Sequence, residues 1–163
     1  MANVDYFLKL EGFDGGSTDD KHKGEIEILS FSFGVSNSGS IIGGGGGGGA
    51  GVAQLSDFSF TAPNGQAGPK LFVACASGQH VKEGLITLRK AGDKPVEYLK
   101  IKLNDILISS YSVGGHEEGE GNPFESFALN FAKVEIAYYP QNPDGSLGQP
   151  IVGGWDRLKN TKI

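Results

Sequence analysis

The 163-residue chain holds one cysteine, Cys75, so no disulfide can form within it and nothing in it demands an oxidising compartment. Basic residues are the minority charge: 14 Lys and Arg against 19 Asp and Glu leave a net charge of −5. A nucleic-acid binder needs a basic footprint to displace counterions, and this balance argues against one. Long apolar runs are missing as well. The longest, Leu71 to Ala76, falls far short of the ~20 residues that cross a bilayer as a helix. The opening Met1-Ala2-Asn3-Val4-Asp5-Tyr6 has neither the basic nor the apolar region of a signal peptide. These absences predict a soluble chain made in the cytoplasm, with no stable membrane insertion. They leave open export by a machine that ignores N-terminal signals.

Glycine, by contrast, is abundant, with 27 residues. Nine of them fall between Gly39 and Gly51, including the unbroken run Gly43 to Gly49. Each interior glycine costs a helix about 1 kcal/mol relative to alanine, so a helix bundle is nearly excluded. Seven prolines and no three-residue glycine period exclude collagen. A hydrophobic content of 38% argues against general disorder. The length predicts one domain, residues 1–163, with room for a real core.

The prolines all lie between apolar stretches, as expected of residues that cannot donate to a sheet ladder. Period-two alternation with β-branched and aromatic content predicts strands over Val4 to Leu10, Glu25 to Val35, Gln54 to Thr61, Leu85 to Ala91, Val96 to Val113 and Phe124 to Tyr139, and a short one near Ile151 to Trp155. One helix interrupts them, opened by Pro69 and stopped by Gly78. Leu71, Phe72 and Cys75 share its expected inner face, with Cys75 read as a buried small hydrophobe.

Three strands switch parity partway along: Ile26 and Ile28 give way to Leu29, Phe31 and Phe33; Leu99, Ile101 and Leu103 to Ile106 and Ile108; Phe127, Leu129 and Phe131 to Val134, Ile136 and Tyr138. A one-residue slip turns every later side chain to the other face unless an extra residue is absorbed. β-Bulges absorb it and bend strands as a strongly coiled sheet or barrel requires, the reading favoured over ordinary strands wetted on alternate faces or two strands joined by a tight turn.

Motifs for chemistry are scarce. The polyglycine run matches G-x-G-x-x-G trivially, but no Lys-Ser/Thr follows it and no acidic partner sits in a βαβ unit. A mobile inter-strand connection fits it, either as a plain linker or as an interaction arm through its apolar flanks Ser40-Ile41-Ile42 and Ala50-Gly51-Val52. His22, His80 and His116 lie in separate polar segments without metal-ligand spacing. The acidic stretch around Glu117 lacks the oxygen ladder of an EF-hand, and Asp19-Asp20 has no apolar shell in the sequence to raise a pKa. No metal, cofactor or catalytic set is expected. What remains is the polar side of the strands. Ser30 and Ser32 oppose Phe31 and Phe33, and would face solvent, a neighbouring subunit or an enclosed channel.

The residues in order carry a family likeness: Tyr6-Phe7-Leu8-Lys9-Leu10; Glu25 through Gly34; the glycine run leading to Asp57-Phe58-Ser59-Phe60-Thr61; Ala74-Cys75-Ala76-Ser77-Gly78; Leu88-Arg89-Lys90-Ala91-Gly92; Val96-Glu97-Tyr98-Leu99; Leu129 to Val134; and Gly154-Trp155-Asp156. The chain resembles the haemolysin-coregulated protein (Hcp) family, tube subunits of bacterial type VI secretion systems. Phe31 and Phe33 depart from it, standing where many members carry tryptophan.

The resemblance implies a mostly β fold: a coiled antiparallel β-barrel of two sheets flanked by one short α-helix, with a long glycine-rich inter-strand loop. It implies a non-enzymatic subunit of a homo-hexameric ring, with rings stacked into a tube that is secreted and carries effectors in its channel. Spike, sheath and effector proteins are the implied partners. With no further domain after Trp155, it implies a tube subunit rather than an effector-bearing fusion. On this reading Ser30 and Ser32 line the channel, and Ser40, Ile41, Ile42, Ala50 and Val52 form a ring-stacking loop. The rival is a monomeric β-barrel that binds a small apolar ligand.

Overall fold

The computed structural model describes residues 4–39, 51–115, 117 and 123–163. Eleven strands and one helix follow in the order β1 (Val4–Leu10), β2 (Ile26–Ile28), β3 (Ser30–Ser32), β4 (Val35–Asn37), β5 (Ala53–Leu55), β6 (Phe58–Pro63), α1 (Gly68–Ser77), β7 (His80–Lys90), β8 (Val96–Gly114), β9 (Phe124–Tyr138), β10 (Ile151–Asp156) and β11 (Thr161–Lys162). Nine strands form one antiparallel sheet, and β4 with β5 forms a separate hairpin, so the mostly β class with one helix is as expected.

The sheet path runs β11-β10-β9-β8-β7-β1-β2, while β3 pairs with β6 and β6 with β9. Only Leu29 separates β2 from β3, and its N–H donates to the Thr61 carbonyl at 2.8 Å. The ladders therefore wrap round a common core and meet at this one-residue joint, a barrel-like circuit rather than an uninterrupted barrel. Leu29 itself is 59% exposed, so the residue expected to continue the apolar set is the one spent on the change of parity.

The other two parity switches are a single event. Val81, Ile106 and Phe131 form one buried row across β7, β8 and β9, and Gly84, Leu103 and Val134 form another. Three strands change face together between these rows, and the register is the same on both sides. A shared crease replaces the independent bulges expected here. Asp105 sits in it with φ 53, a left-handed conformation that lets the strand turn over. True register shifts lie elsewhere, between Leu88 and Arg89 and between Ile108 and Ser110.

The core is aromatic. Phe58, Phe60, Phe127 and Phe131 are fully buried together with Leu8, Leu71, Ile86, Leu103, Ile106, Ile108 and Leu129. Phe60 stacks on Phe58 at 5.4 Å and on Phe127 at 5.2 Å between centroids. α1 closes over this core with Leu71 and Ala74, a proline in its first turn, and Gly78 at φ 68 ending it. Phe72 does not join them; it is 59% exposed, and Cys75 is only partly buried. The inner stripe is Gly68, Leu71 and Ala74, the i, i+3, i+6 set, which leaves Phe72 one residue round the helix.

Candidate functional site

The sequence of each wall strand holds the same three-residue unit, small–aromatic–small. It reads Ser30-Phe31-Ser32 in β3, Ser59-Phe60-Thr61 in β6, Ser126-Phe127-Ala128 in β9 and Ser110-Tyr111-Ser112 in β8. Alternation along a strand sends the aromatic to one face and its two neighbours to the other. Phe31 pairs with Phe60, Phe60 with Phe127 and Phe127 with Tyr111, so the four aromatics form one row on the core side.

The opposite side is a wall of small side chains in two rows. One is Ser30, Thr61, Ser126 and Ser112; the other is Ser32, Ser59, Ala128 and Ser110. They line a shallow depression of about 300 Å³. Neither row contains a charge or a side chain larger than threonine. Among the described residues, the only hydrogen bond from these seven hydroxyls to the protein is a long one, Ser112 Oγ to the Ser126 carbonyl at 3.5 Å. The other six hydroxyls have no hydrogen-bond partner among the described residues. No histidine or carboxylate lies in the rows, so nothing there activates a serine for nucleophilic attack.

One bulge assembles the β8 part of the wall. Ile108 pairs with Leu129 and Ser110 with Ala128, leaving Ser109 as the extra residue. Without it Ser110 and Ser112 would point at the core. Ser109 donates to Asp57 Oδ2 at 2.7 Å and Asn130 donates to Asp57 Oδ1 at 2.8 Å, so this carboxylate closes one end of the wall with both oxygens occupied. Beneath the wall, on the core side of the sheet, Tyr111 donates to Glu125 Oε2 at 2.8 Å. Burial, together with that bond, pushes the Tyr111 phenol up to about 12. Burial also raises the Glu125 carboxyl, against the opposing pull of the Tyr111 hydroxyl.

Ser30 and Ser32 are thus exposed in the wall, joined by five hydroxyls and one methyl that the sequence reading passed over. The signal was present as three hydroxyl pairs at i, i+2 around an aromatic; only strand register shows that they share a face. Ser40, Ile41, Ile42 and Ala50 lie outside the described residues, as does His116. Val52 is described and 63% exposed, just before the β4–β5 hairpin closes.

A second cluster was not legible at all. The segment between β1 and β2 folds over the outer face of the sheet and buries His22, whose Nδ1 lies 2.7 Å from Glu25 and Nε2 2.6 Å from Glu97. Its ring stacks on Phe7 with centroids 4.3 Å apart. Arg89, also buried, binds Asp19 at 2.7 Å and Asp5 at 3.0 Å, with its guanidinium carbon 4.9 Å from the Phe7 ring centre. The Arg89 hydrogen bonds hold the Asp19 carboxyl down to about 2. Burial lifts the Glu97 carboxyl, but the bonds from His22 and Lys100 outweigh it and leave it below the usual range. Asp19 has a polar shell built by distant strands, and His22 is structural rather than a lone loop residue.

Fold and face together define a β-rich protein with a broad, uncharged wall of small side chains on one face of its sheet. The family model described as "Type VI secretion system effector, Hcp" matches residues 7–138. The chain belongs to that family. It is 44% identical to Protein hcp1 of Pseudomonas aeruginosa PAO1 over 161 residues, 98% of each sequence. Among solved structures, Hcp1 from Salmonella typhimurium matches with TM-score 0.81 at 35% identity, covering 100% of both chains. A structure described as a type six secretion system protein matches with TM-score 0.92 at 32% identity, covering 99% of this chain and 100% of the other.

Proposed function

We propose that this chain is a tube subunit of a type VI secretion system, working as one 163-residue unit. Copies form a hexameric ring whose channel is lined by the hydroxyl wall, rings stack into a tube, and the tube is exported from the bacterial cytoplasm without a cleavable signal peptide. Effectors travel in the channel, and the spike and sheath proteins are the tube's other partners. One observation carries the reading: eight small uncharged side chains in two registered rows, with six of their seven hydroxyls unbonded among the described residues, on a chain of this family. A wall of this kind gives cargo many weak hydrogen bonds and no strong one, so cargo is held and still released.

The rival, a monomeric ligand-binding barrel, needs interior room, whereas four fully buried phenylalanines fill the middle of this core. Stacking is assigned to the segment Ser40, Ile41, Ile42, Ala50 and Val52. Deleting residues 43–49 is expected to leave single rings and abolish tubes; unchanged tubes reject that assignment. Size-exclusion chromatography with negative-stain electron microscopy tests the whole. Rings are expected from the native chain, and a Ser32→Glu ring is expected to lose effector co-purification. A monomer, or full effector retention, rejects the corresponding part.

A further inference from the structure

The two extreme edges of the sheet carry opposite charge. β11 and β2 are the terminal strands of the path β11-β10-β9-β8-β7-β1-β2. Residues 1–30 hold seven acidic and three basic side chains; residues 157–163 hold three basic and no acidic ones.

At the β1–β2 edge a groove of about 390 Å³ is lined by Val4, Asp5, Asp19, Glu27, Leu29 and Pro63, with Arg89 at its side. Arg89 satisfies Asp5 and Asp19. Glu27 is exposed and has no ion-pair partner among the described residues, and Val4 and Leu29 are exposed apolar residues beside it. Three carboxylates against one guanidinium leave the groove acidic, with an apolar lip.

At the other edge the β10–β11 hairpin raises Leu158, 80% exposed, between Arg157 and Lys159. Lys159 and Lys162 are exposed and likewise have no ion-pair partner among the described residues. An apolar side chain beside the Lys159 ammonium, with Lys162 on the same hairpin, matches an acidic groove with an apolar lip in both charge and chemistry.

We propose that the β10–β11 hairpin of one copy seats in the β1–β2 groove of a second copy, Leu158 against Val4 and Leu29, with Lys159 and Lys162 toward Glu27. This rests on the self-assembling reading above and names the surfaces that assembly uses. The two surfaces differ, so each contact leaves one of each kind free, and the chain of contacts propagates until it closes into a ring. Exposed ion pairs are individually weak and salt-screened, so they select the partner edge while the apolar contact holds it.

Charge reversal tests this on the full chain. Glu27→Lys alone, and Lys159→Glu with Lys162→Glu, are each expected to weaken assembly at least tenfold in the concentration at which rings form, with unchanged circular dichroism and melting. Each variant repels its own kind, yet the two are mutually complementary. Mixing them, or combining all three substitutions in one chain, is expected to restore rings. Rings formed by either variant as by the native chain overturn the proposal, as does failure of both the mixture and the combined variant when all remain folded. A native chain that stays monomeric overturns the assembly reading itself, an outcome the variants cannot mimic.

Discussion

Tyr111 and Glu125 are joined on the core side of the sheet: the phenol beneath the hydroxyl wall donates, at 2.8 Å, to a carboxyl that lies against the first turn of α1. The helix has no acidic residue in that turn and no side-chain cap of its own. Glu125 brings a carboxyl there from β9, where it faces the positive end of the helix dipole. Wall and helix are mechanically one piece.

The phenol titrates from 10.0 in the unfolded chain to about 12 in the fold, so the folded state holds its proton longer. The stability this contributes is complete below pH 10 and is lost as pH rises toward 12. Ultraviolet difference titration should show a late tyrosine step that disappears in Tyr111→Phe. That variant should also lose about 1–2 kcal/mol near neutral pH, because Glu125 loses its partner. An unchanged titration curve would contradict the assignment.

Glu125 is raised, so its contribution has the same sign: present below the unfolded value of 4.5 and lost as pH climbs through the folded one. Glu125→Gln should flatten melting temperature against pH in that window. A slope equal to the native one would show that another group is responsible.

A methyl at Gly68 would crowd the part-buried Tyr111–Glu125 hydrogen bond. A Cβ there would stand 2.7 Å from Glu125 Oε2 and 2.9 Å from the Tyr111 hydroxyl. Alanine normally favours a helix by about 1 kcal/mol over glycine. Here Gly68→Ala should destabilise instead, by roughly 1–3 kcal/mol in urea unfolding, through overpacking.

At the acid end, Asp19 is depressed from 3.8 to about 2 by Arg89. Its stabilisation is present above pH 3.8 and lost as pH falls through about 2. Asp19→Asn should remove that part of the acid-unfolding slope and lower the melting temperature at neutral pH. If the acid midpoint stays put in the variant, the pair does not link the β1–β2 segment to β7.

Under the wall, Phe60 is 2% exposed and pairs with both Phe31 and Phe127. Phe60→Ala should cost about 3–5 kcal/mol and loosen both serine rows. Hydrogen exchange at Ser59 and Thr61 should accelerate well beyond that at Leu8 if the rows depend on this layer.

Much of the fold was legible because the determinants are local. β1 matches its predicted span residue for residue, and α1 begins and ends where Pro69 and Gly78 require. The long strands β8 and β9 follow from alternation alone. Less was visible where neighbours decide. The strand predicted over Glu25 to Val35 is divided at Leu29 because its two halves pair with different strands, β1 and β6. The start of β7 at His80 was missed, since Val81 and Gly84 are buried on both sides of the crease and hide the alternation.

The sequence by itself determined the β character, the one helix, the family, and the small–aromatic–small unit of each wall strand. These depend on residue type and on spacing within a few positions. Tertiary structure decided which units lie side by side, because register is a relation between strands far apart in the chain. It alone buried His22 and Arg89, whose partners Glu97, Asp19 and Asp5 lie 75, 70 and 84 residues away. Charge becomes structural only when the fold removes water from around it and supplies the opposite charge, and no local pattern records that.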